Sequence, residues 1–216
     1  RESDGPLTVQ LADEELAADA VLVAVGRTPA TGELGLDIAG IDTDEKGFVK
    51  VDHRLRTSVD GVYAVGDVNG GPQFTYISLD DNRIVWDQLV GEGERSTADR
   101  VAVPSTTFIT PPLSQVGLTA AHAHEAGYDV LHVAKEVAAI ATMPRPKIVG
   151  DPAGVITFTV DASNRRILGA TLFCVDSQEL VNLVALAMRT DATVEDLLNG
   201  IWTHPSSTEA FNEVLA

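Results

Sequence analysis

Apolar and polar positions follow two periods along this chain, and the periods lay out its elements. Leu7-Thr8-Val9-Gln10-Leu11 alternates with a period of two, the mark of a strand with one face turned inward. A charged turn, Asp13-Glu14-Glu15, comes next. Residues 20–25 are apolar without a break and stop at Gly26, which predicts a strand buried on both faces, as in a parallel sheet. Its sheet neighbours are not in this sequence. Residues 48–51 and 61–65 read as two more short strands. A helix is expected over about 75–90, ended by Gly91-Glu92-Gly93-Glu94, which reads as a linker.

From residue 103 the pattern is that of a separate α+β unit. Residues 105–109 are β-branched and aromatic, hence a strand, broken by Pro111-Pro112. Thr119 is placed to cap a short helix that ends at Gly127. Residues 128–137, 154–160 and 167–175 read as strands, the last two joined by the turn Asp161-Ala162-Ser163-Asn164. Leu180, Leu183, Val184, Ala187 and Met188 recur at helical spacing and form one apolar face. Thr193, with Asp196 three residues on, caps another short helix, and a last helix starts near Ser206.

The 216 residues are 44% hydrophobic, enough to bury a core and too apolar for a disordered tail. No run approaches the roughly 18–20 apolar residues that span a bilayer, so no membrane partner is expected. A net charge of −17 repels phosphates and argues against a nucleic-acid partner. The single cysteine, Cys174, excludes an internal disulfide and suits a reducing compartment, hence a cytoplasmic location. It sits in a strand pattern and reads as a small core residue. His122, His124 and His132 lack a further ligand at zinc spacing, so no metal site is expected. The chain opens at Arg1 and not at Met, and reads as a piece whose N-terminal part is unseen.

Three segments carry chemistry. His204-Pro205 is followed by Glu209. A histidine exchanges a proton near neutral pH, and a nearby carboxylate fixes its tautomer. Ser206 and Glu209 also have capping-box spacing, which would direct Glu209 to backbone amides instead. Gly66-Asp67 follows an expected buried strand. The glycine permits a close approach of backbone to ligand, and Asp67 can accept hydrogen bonds from sugar hydroxyls or cap its own turn. Gly26-Arg27-Thr28-Pro29 leaves the first buried run.

Taken in order, Val25-Gly26-Arg27-Thr28-Pro29, Thr57-x-x-x-Gly61-x-Tyr63-Ala64-x-Gly66-Asp67, Val116-Gly117-Leu118-Thr119 and His204-Pro205…Glu209 resemble the C-terminal part of the flavin-dependent pyridine nucleotide–disulfide oxidoreductases. Glutathione reductase, lipoamide dehydrogenase and mercuric reductase are in that family. The resemblance implies an α/β remnant of the FAD- and NAD-binding domains followed by an α+β dimerisation domain with an antiparallel sheet. Residues 1–31 would end the NAD-binding domain, 32–102 the FAD-binding domain, and 103–216 would form the dimerisation domain of a homodimer. It implies FAD and NAD(P)H as cofactors and a small-molecule disulfide or related oxidant as substrate. Gly66 and Asp67 would meet the ribityl chain of FAD. His204, oriented by Glu209, would be the acid–base group serving the partner subunit's disulfide.

Ala30 replaces the usual Asn, and Ser78-Leu79-Asp80-Asp81 stands where small apolar residues are usual. Neither a Gly-x-Gly-x-x-Gly fingerprint nor a Cys-x-x-x-x-Cys pair is present, so the chain alone is expected to be inactive. The ending Glu213-Val214-Leu215-Ala216 lacks the terminal cysteine pair of mercuric reductases and is closer to reductases of thiol-stress and reactive-chlorine defence. The alternative from another class is a structural dimerisation module without redox work.

Overall fold

A computed structural model describes residues 7–216. They fall into two units, divided between Thr97 and Ala98, and each is taken here by itself.

The first unit opens with a hairpin, β1 (Leu7–Gln10) against β2 (Glu15–Ala18), closed by Leu11 N–H donating to the Glu14 carbonyl at 2.8 Å. The expected turn at Glu15 is thus already strand. Residues 20–25 do not form the expected buried strand: Leu22 is 90% and Val25 93% exposed. A strand of a parallel sheet needs neighbours on both edges, and no described strand pairs with this run. The strands expected at 48–51 and 61–65 shrink to isolated bridges, Thr43–Val49 and Arg56–Tyr63. Two aspartates account for this. Asp44 Oδ1 accepts from the amides of Lys46 and Phe48, and Asp52 Oδ1 from those of Arg54 and Arg56. Such side-chain turns satisfy amides that a ladder would otherwise use. Helix α1 (Thr75–Val90) lies where the pattern places it, with Ile77, Asp81 and Ile84 buried at i, i+4, i+7.

In the second unit, strands β3 (Ser105–Thr107), β4 (Leu113–Gly117), β5 (Val130–Glu136), β6 (Val155–Asp161) and β7 (Ile167–Phe173) form an antiparallel sheet in the order β3-β4-β7-β6-β5. Helix α2 (Ala120–Glu125) is capped by Thr119 as expected, its side chain accepting from His122 N–H. Helices α3 (Arg145–Val149), α4 (Ser177–Arg189), α5 (Val194–Leu198) and α6 (Phe211–Val214) complete the unit. The capping box of Thr193 and Asp196 is present on α5. Strand β4 and helix α3 are not apparent in the sequence. β4 places Ser114 at a core-facing position, where its hydroxyl meets those of Thr106 (2.8 Å) and Ser177 (2.9 Å), so the alternation of apolar residues fails there.

The core lies on one face of this sheet. Ile156, Phe158, Val160, Ala170 and Leu172 meet Leu180, Val181, Val184, Ala185 and Ala187 of α4. The buried apolar side chains of α4 are therefore spent inside the unit. Phe211 of α6 packs edge-on to Phe158 (5.7 Å) and to Trp202 (6.3 Å), bringing the C-terminal segment onto the same core. Fully buried aromatics of this kind cost about 3–5 kcal/mol when cut to alanine. Phe211→Ala should lower the unfolding free energy of this chain by that amount in urea titrations followed by circular dichroism. A change under about 1 kcal/mol would show that the segment is not part of the cooperative core.

Candidate functional site

The Gly66–Asn69 segment forms a 3-10 turn, with Gly66 at φ +72. A side chain at Gly66 would place its Cβ 2.9 Å from the Ser78 hydroxyl, so the turn lies directly against α1. Asp81, 1% exposed, holds it there: Oδ2 accepts Gly66 N–H at 2.7 Å and Asn69 Nδ2–H at 3.1 Å. Asn69 also donates to the Ala64 carbonyl and accepts from Gly71 N–H. Asp67 is left on the surface. Its carboxylate caps no amide of its own turn and lies 3.8 Å from Arg27 Nη1, an exposed pair worth little to stability. Asp67 thus has acceptor capacity to spare, while Asp81 does the structural work. Sequence alone does not single out Asn69, and it marks Arg27 and Asp81 only as members of a motif and of a departure from the family pattern, without a role at this turn. The signal for Asp81 is a carboxylate in the apolar row 77, 81, 84, where burial demands donors.

The second site is on the C-terminal segment. His204 Nδ1 lies 2.9 Å from Glu209 Oε1, while Glu209 Oε2 accepts Ser206 N–H at 2.8 Å. The two roles weighed for Glu209 are thus performed at once, one by each oxygen. The capping box itself is incomplete, because Ser206 Oγ is buried without a partner. The His204–Pro205 peptide is cis. The Ser206 amide, and then the His204 ring, hold the Glu209 carboxyl below its usual range. The imidazole is 71% exposed and Glu209 only 15%. Among the described residues nothing bonds Nε2, so the ring has one nitrogen tied to a carboxylate and the other open. That arrangement can give and take a proton at Nε2.

Contacts with residues far away in the chain help to seat the segment. Thr142 Oγ1 donates to the Glu209 carbonyl at 3.0 Å, Thr142 N–H donates to Glu213 Oε2 at 2.9 Å, and Lys135 Nζ pairs with Glu213 Oε1. None of Thr142, Lys135 and Glu213 is marked by sequence spacing, because the contacts join positions some 70 residues apart. Cys174 is buried, and burial first, then the Asp176 charge, pushes its thiol up to about 12, which removes it from redox chemistry at neutral pH. Among the described residues no three His, Cys, Asp or Glu side chains converge as a metal site, and no helix is long and apolar enough to cross a membrane.

Lys135, followed by the Thr142 amide, draws the Glu213 carboxyl down from 4.5 to about 2. A depressed carboxyl adds stability above its unfolded value and loses it as pH falls through the folded value. The chain should therefore lose stability between pH 4.5 and about 2. In thermal melts over that window Glu213→Gln should show a shallower decline than the parent sequence. Parallel declines would mean that the pair carries no linkage.

The chain matches two family models: pyridine nucleotide-disulphide oxidoreductase over residues 1–81, and the pyridine nucleotide-disulphide oxidoreductase dimerisation domain over residues 103–215. It is 49% identical over 202 residues to the probable pyridine nucleotide-disulfide oxidoreductase RclA of Escherichia coli (strain K12), covering 94% of this chain and 45% of that protein. It is 32% identical to dihydrolipoyl dehydrogenase 2 of Haloarcula marismortui, over 100% of this chain and 46% of that protein. The solved structure of the HOCl-induced flavoprotein disulfide reductase RclA from Escherichia coli superposes with a TM-score of 0.93 at 47% identity, covering 99% of this chain and 48% of that one. The chain spans about half the length of the relatives it matches.

Proposed function

From the premise that the chain belongs to the pyridine nucleotide-disulphide oxidoreductase family, we propose that it is the rear half of an FAD-dependent NAD(P)H:disulfide oxidoreductase. In this reading residues 1–31 close the NAD-binding domain, 32–102 the FAD-binding domain, and 103–216 form the dimerisation domain of a cytoplasmic homodimer. The substrate is a small-molecule disulfide or related oxidant. The observation that carries the proposal is the His204–Glu209 pair, with Nδ1 held at 2.9 Å and Nε2 open.

The residues present fit one edge of a flavin site. Gly66, packed against Ser78 and bonded to Asp81, shapes the turn, and Asp67 offers a carboxylate uncommitted to that turn. Bound FAD would supply the relay of a nicotinamide hydride's electron pair toward the disulfide. Asp67 would accept hydrogen bonds from the flavin's sugar-like hydroxyls, with Arg27 beside it. His204 would hold the proton that a departing thiolate takes up when the S–S bond is reduced, and recover it from a thiol in the reverse direction. Glu209 would keep Nδ1 the protonated nitrogen of the neutral ring. One carboxylate and one glycine supply too few contacts to bind a dinucleotide tightly, each hydrogen bond adding about 0.5–1.5 kcal/mol net. On this reading the 216 residues alone do not catalyse the reaction.

Two measurements test this reading. In the intact protein, His204→Gln should slow turnover with disulfide or thiol substrates by about 10²–10⁴-fold, mainly in kcat, and leave reduction of the flavin by nicotinamide unchanged. Unimpaired turnover would remove His204 from the chemistry. Sedimentation of the present chain at micromolar concentration should show a dimer, since obligate interfaces typically bury more than ~2,000 Å². A clean monomer would reject a dimer interface confined to these residues and leave the family membership intact.

A further inference from the structure

Asp176 begins α4 in a manner that costs the helix. Its backbone lies at φ 61, in the left-handed region that non-glycine residues seldom occupy. Aspartate is among the best N-cap side chains, yet this carboxylate caps no amide of α4. Instead Oδ2 accepts from Ser207 Oγ–H at 2.7 Å and from Arg145 Nε–H at 3.3 Å. Ser207 is buried, with 5% of its surface exposed. It lies inside the loop that the His204–Glu209 pair closes, three residues after the histidine and two before the glutamate. A strained backbone and a forgone cap are kept only where the surroundings over-determine them, and here the carboxylate is committed to that loop.

The pair needs such an anchor. The ring is largely in solvent, so packing does not fix it, and its geometry depends on where Glu209 sits. Glu209 in turn divides its carboxylate between Ser206 N–H and the ring. A drift of the Ser206–Ser207 backbone would move one acceptor oxygen away from its donor and release the other. Thr142 holds the Glu209 end of the loop, and Ser207 holds its middle.

We propose that Asp176 is a positioning residue for the acid–base histidine: braced by Arg145, it anchors Ser207 and so keeps Glu209 on Nδ1 of His204, leaving Nε2 as the nitrogen that exchanges the proton. The proposal rests on the reading of His204 given above and extends it to a residue that touches neither substrate nor flavin.

The test reads the ring directly. In the full 216-residue chain labelled with ¹⁵N at histidine, the two ring nitrogens report the Nδ1–H to Nε2–H tautomer ratio at a pH where the imidazole is neutral. Glu209→Ala, which deletes the acceptor, defines the released state. Asp176→Ala and Ser207→Ala should each move the ratio about threefold to tenfold toward Nε2–H, the range expected from losing part of a charge-assisted hydrogen bond. Asp176→Asn keeps an acceptor for Ser207 and tolerates the left-handed backbone, so its ratio should stay within about twofold of the parent chain. Thermal melts on the same samples separate this from a role in stability alone. If both alanine variants lower the melting temperature and leave the ratio untouched while Glu209→Ala moves it, the proposal is overturned. If Asp176→Ala does not fold, Ser207→Ala decides. A ratio that even Glu209→Ala leaves unmoved would overturn both this proposal and the pairing beneath it. The acid–base role itself stands or falls separately, on turnover of His204→Gln in the intact protein.

Discussion

The geometry of the candidate catalytic pair depends on the burial of one short segment. Phe211, fully buried between Phe158 and Trp202, fixes the last two turns of the chain against the sheet. Glu209 and Glu213 project from those turns one helical repeat apart; Glu213 is met by Lys135 and the Thr142 amide from elsewhere in the unit, Glu209 by the Ser206 amide and the His204 ring of its own loop. The apolar contact supplies most of the free energy and the hydrogen bonds supply direction. This division follows from magnitudes, since burying a phenylalanine contributes about 1.5–3 kcal/mol and one net hydrogen bond about 0.5–1.5 kcal/mol. A loop held only by the Glu209 bonds would not keep an exposed imidazole in one orientation.

Carboxylates recur as the hubs of local order, which gives the excess of acidic residues a structural meaning beyond solubility. Asp81 orders the turn that presents Asp67. Asp161 accepts from Ser163 Oγ, Ser163 N–H and Asn164 Nδ2 and closes the β6–β7 hairpin, bonds that hold its carboxyl below the usual range. Asp44 and Asp52 close turns in the first unit, Asp176 and Glu213 brace the C-terminal loop. A carboxylate has about four lone-pair positions, so one side chain can satisfy several amides that irregular backbone leaves unpaired. In this chain the long stretch between β2 and α1 is held in that way and not by a ladder.

How much of this was legible in the sequence differs by physical origin. Helical periodicity placed α4, because that helix buries one face against the sheet of its own unit, and the positions of α1, β6 and β7 were legible as well. Short-range polar chemistry was legible too: the Thr119 cap, the Thr193–Asp196 box and the Asp161 turn all act within a few residues. Of the candidate site, His204, Glu209, Gly66 and Asp67 were visible as motifs, yet the competition for Glu209 could not be decided from spacing, since both uses satisfy it. The supports were invisible. Asp176 to Ser207, Thr142 to Glu213 and Lys135 to Glu213 join residues far apart in the chain, and no local pattern marks them. The apolar run at 20–25 shows the converse. Its composition is that of a buried strand, yet it forms no strand and lies exposed, because burial is a property of neighbours as much as of residues.

That failure bears on what the first unit is. Val21, Leu22, Val23 and Val25 lie exposed, as do Leu79, Trp86, Leu89 and Val90 on α1. Scattered apolar side chains on a surface are ordinary, but runs of this length mark surfaces meant to be covered. The second unit differs: its sheet and α4 close one continuous core with Phe211 at its edge. The contrast agrees with a chain that spans about half of its relatives' length. The second unit carries its own core and holds the His204 pair in finished form. The first presents Asp67 on a turn ordered by Asp81 and keeps an apolar surface unspent.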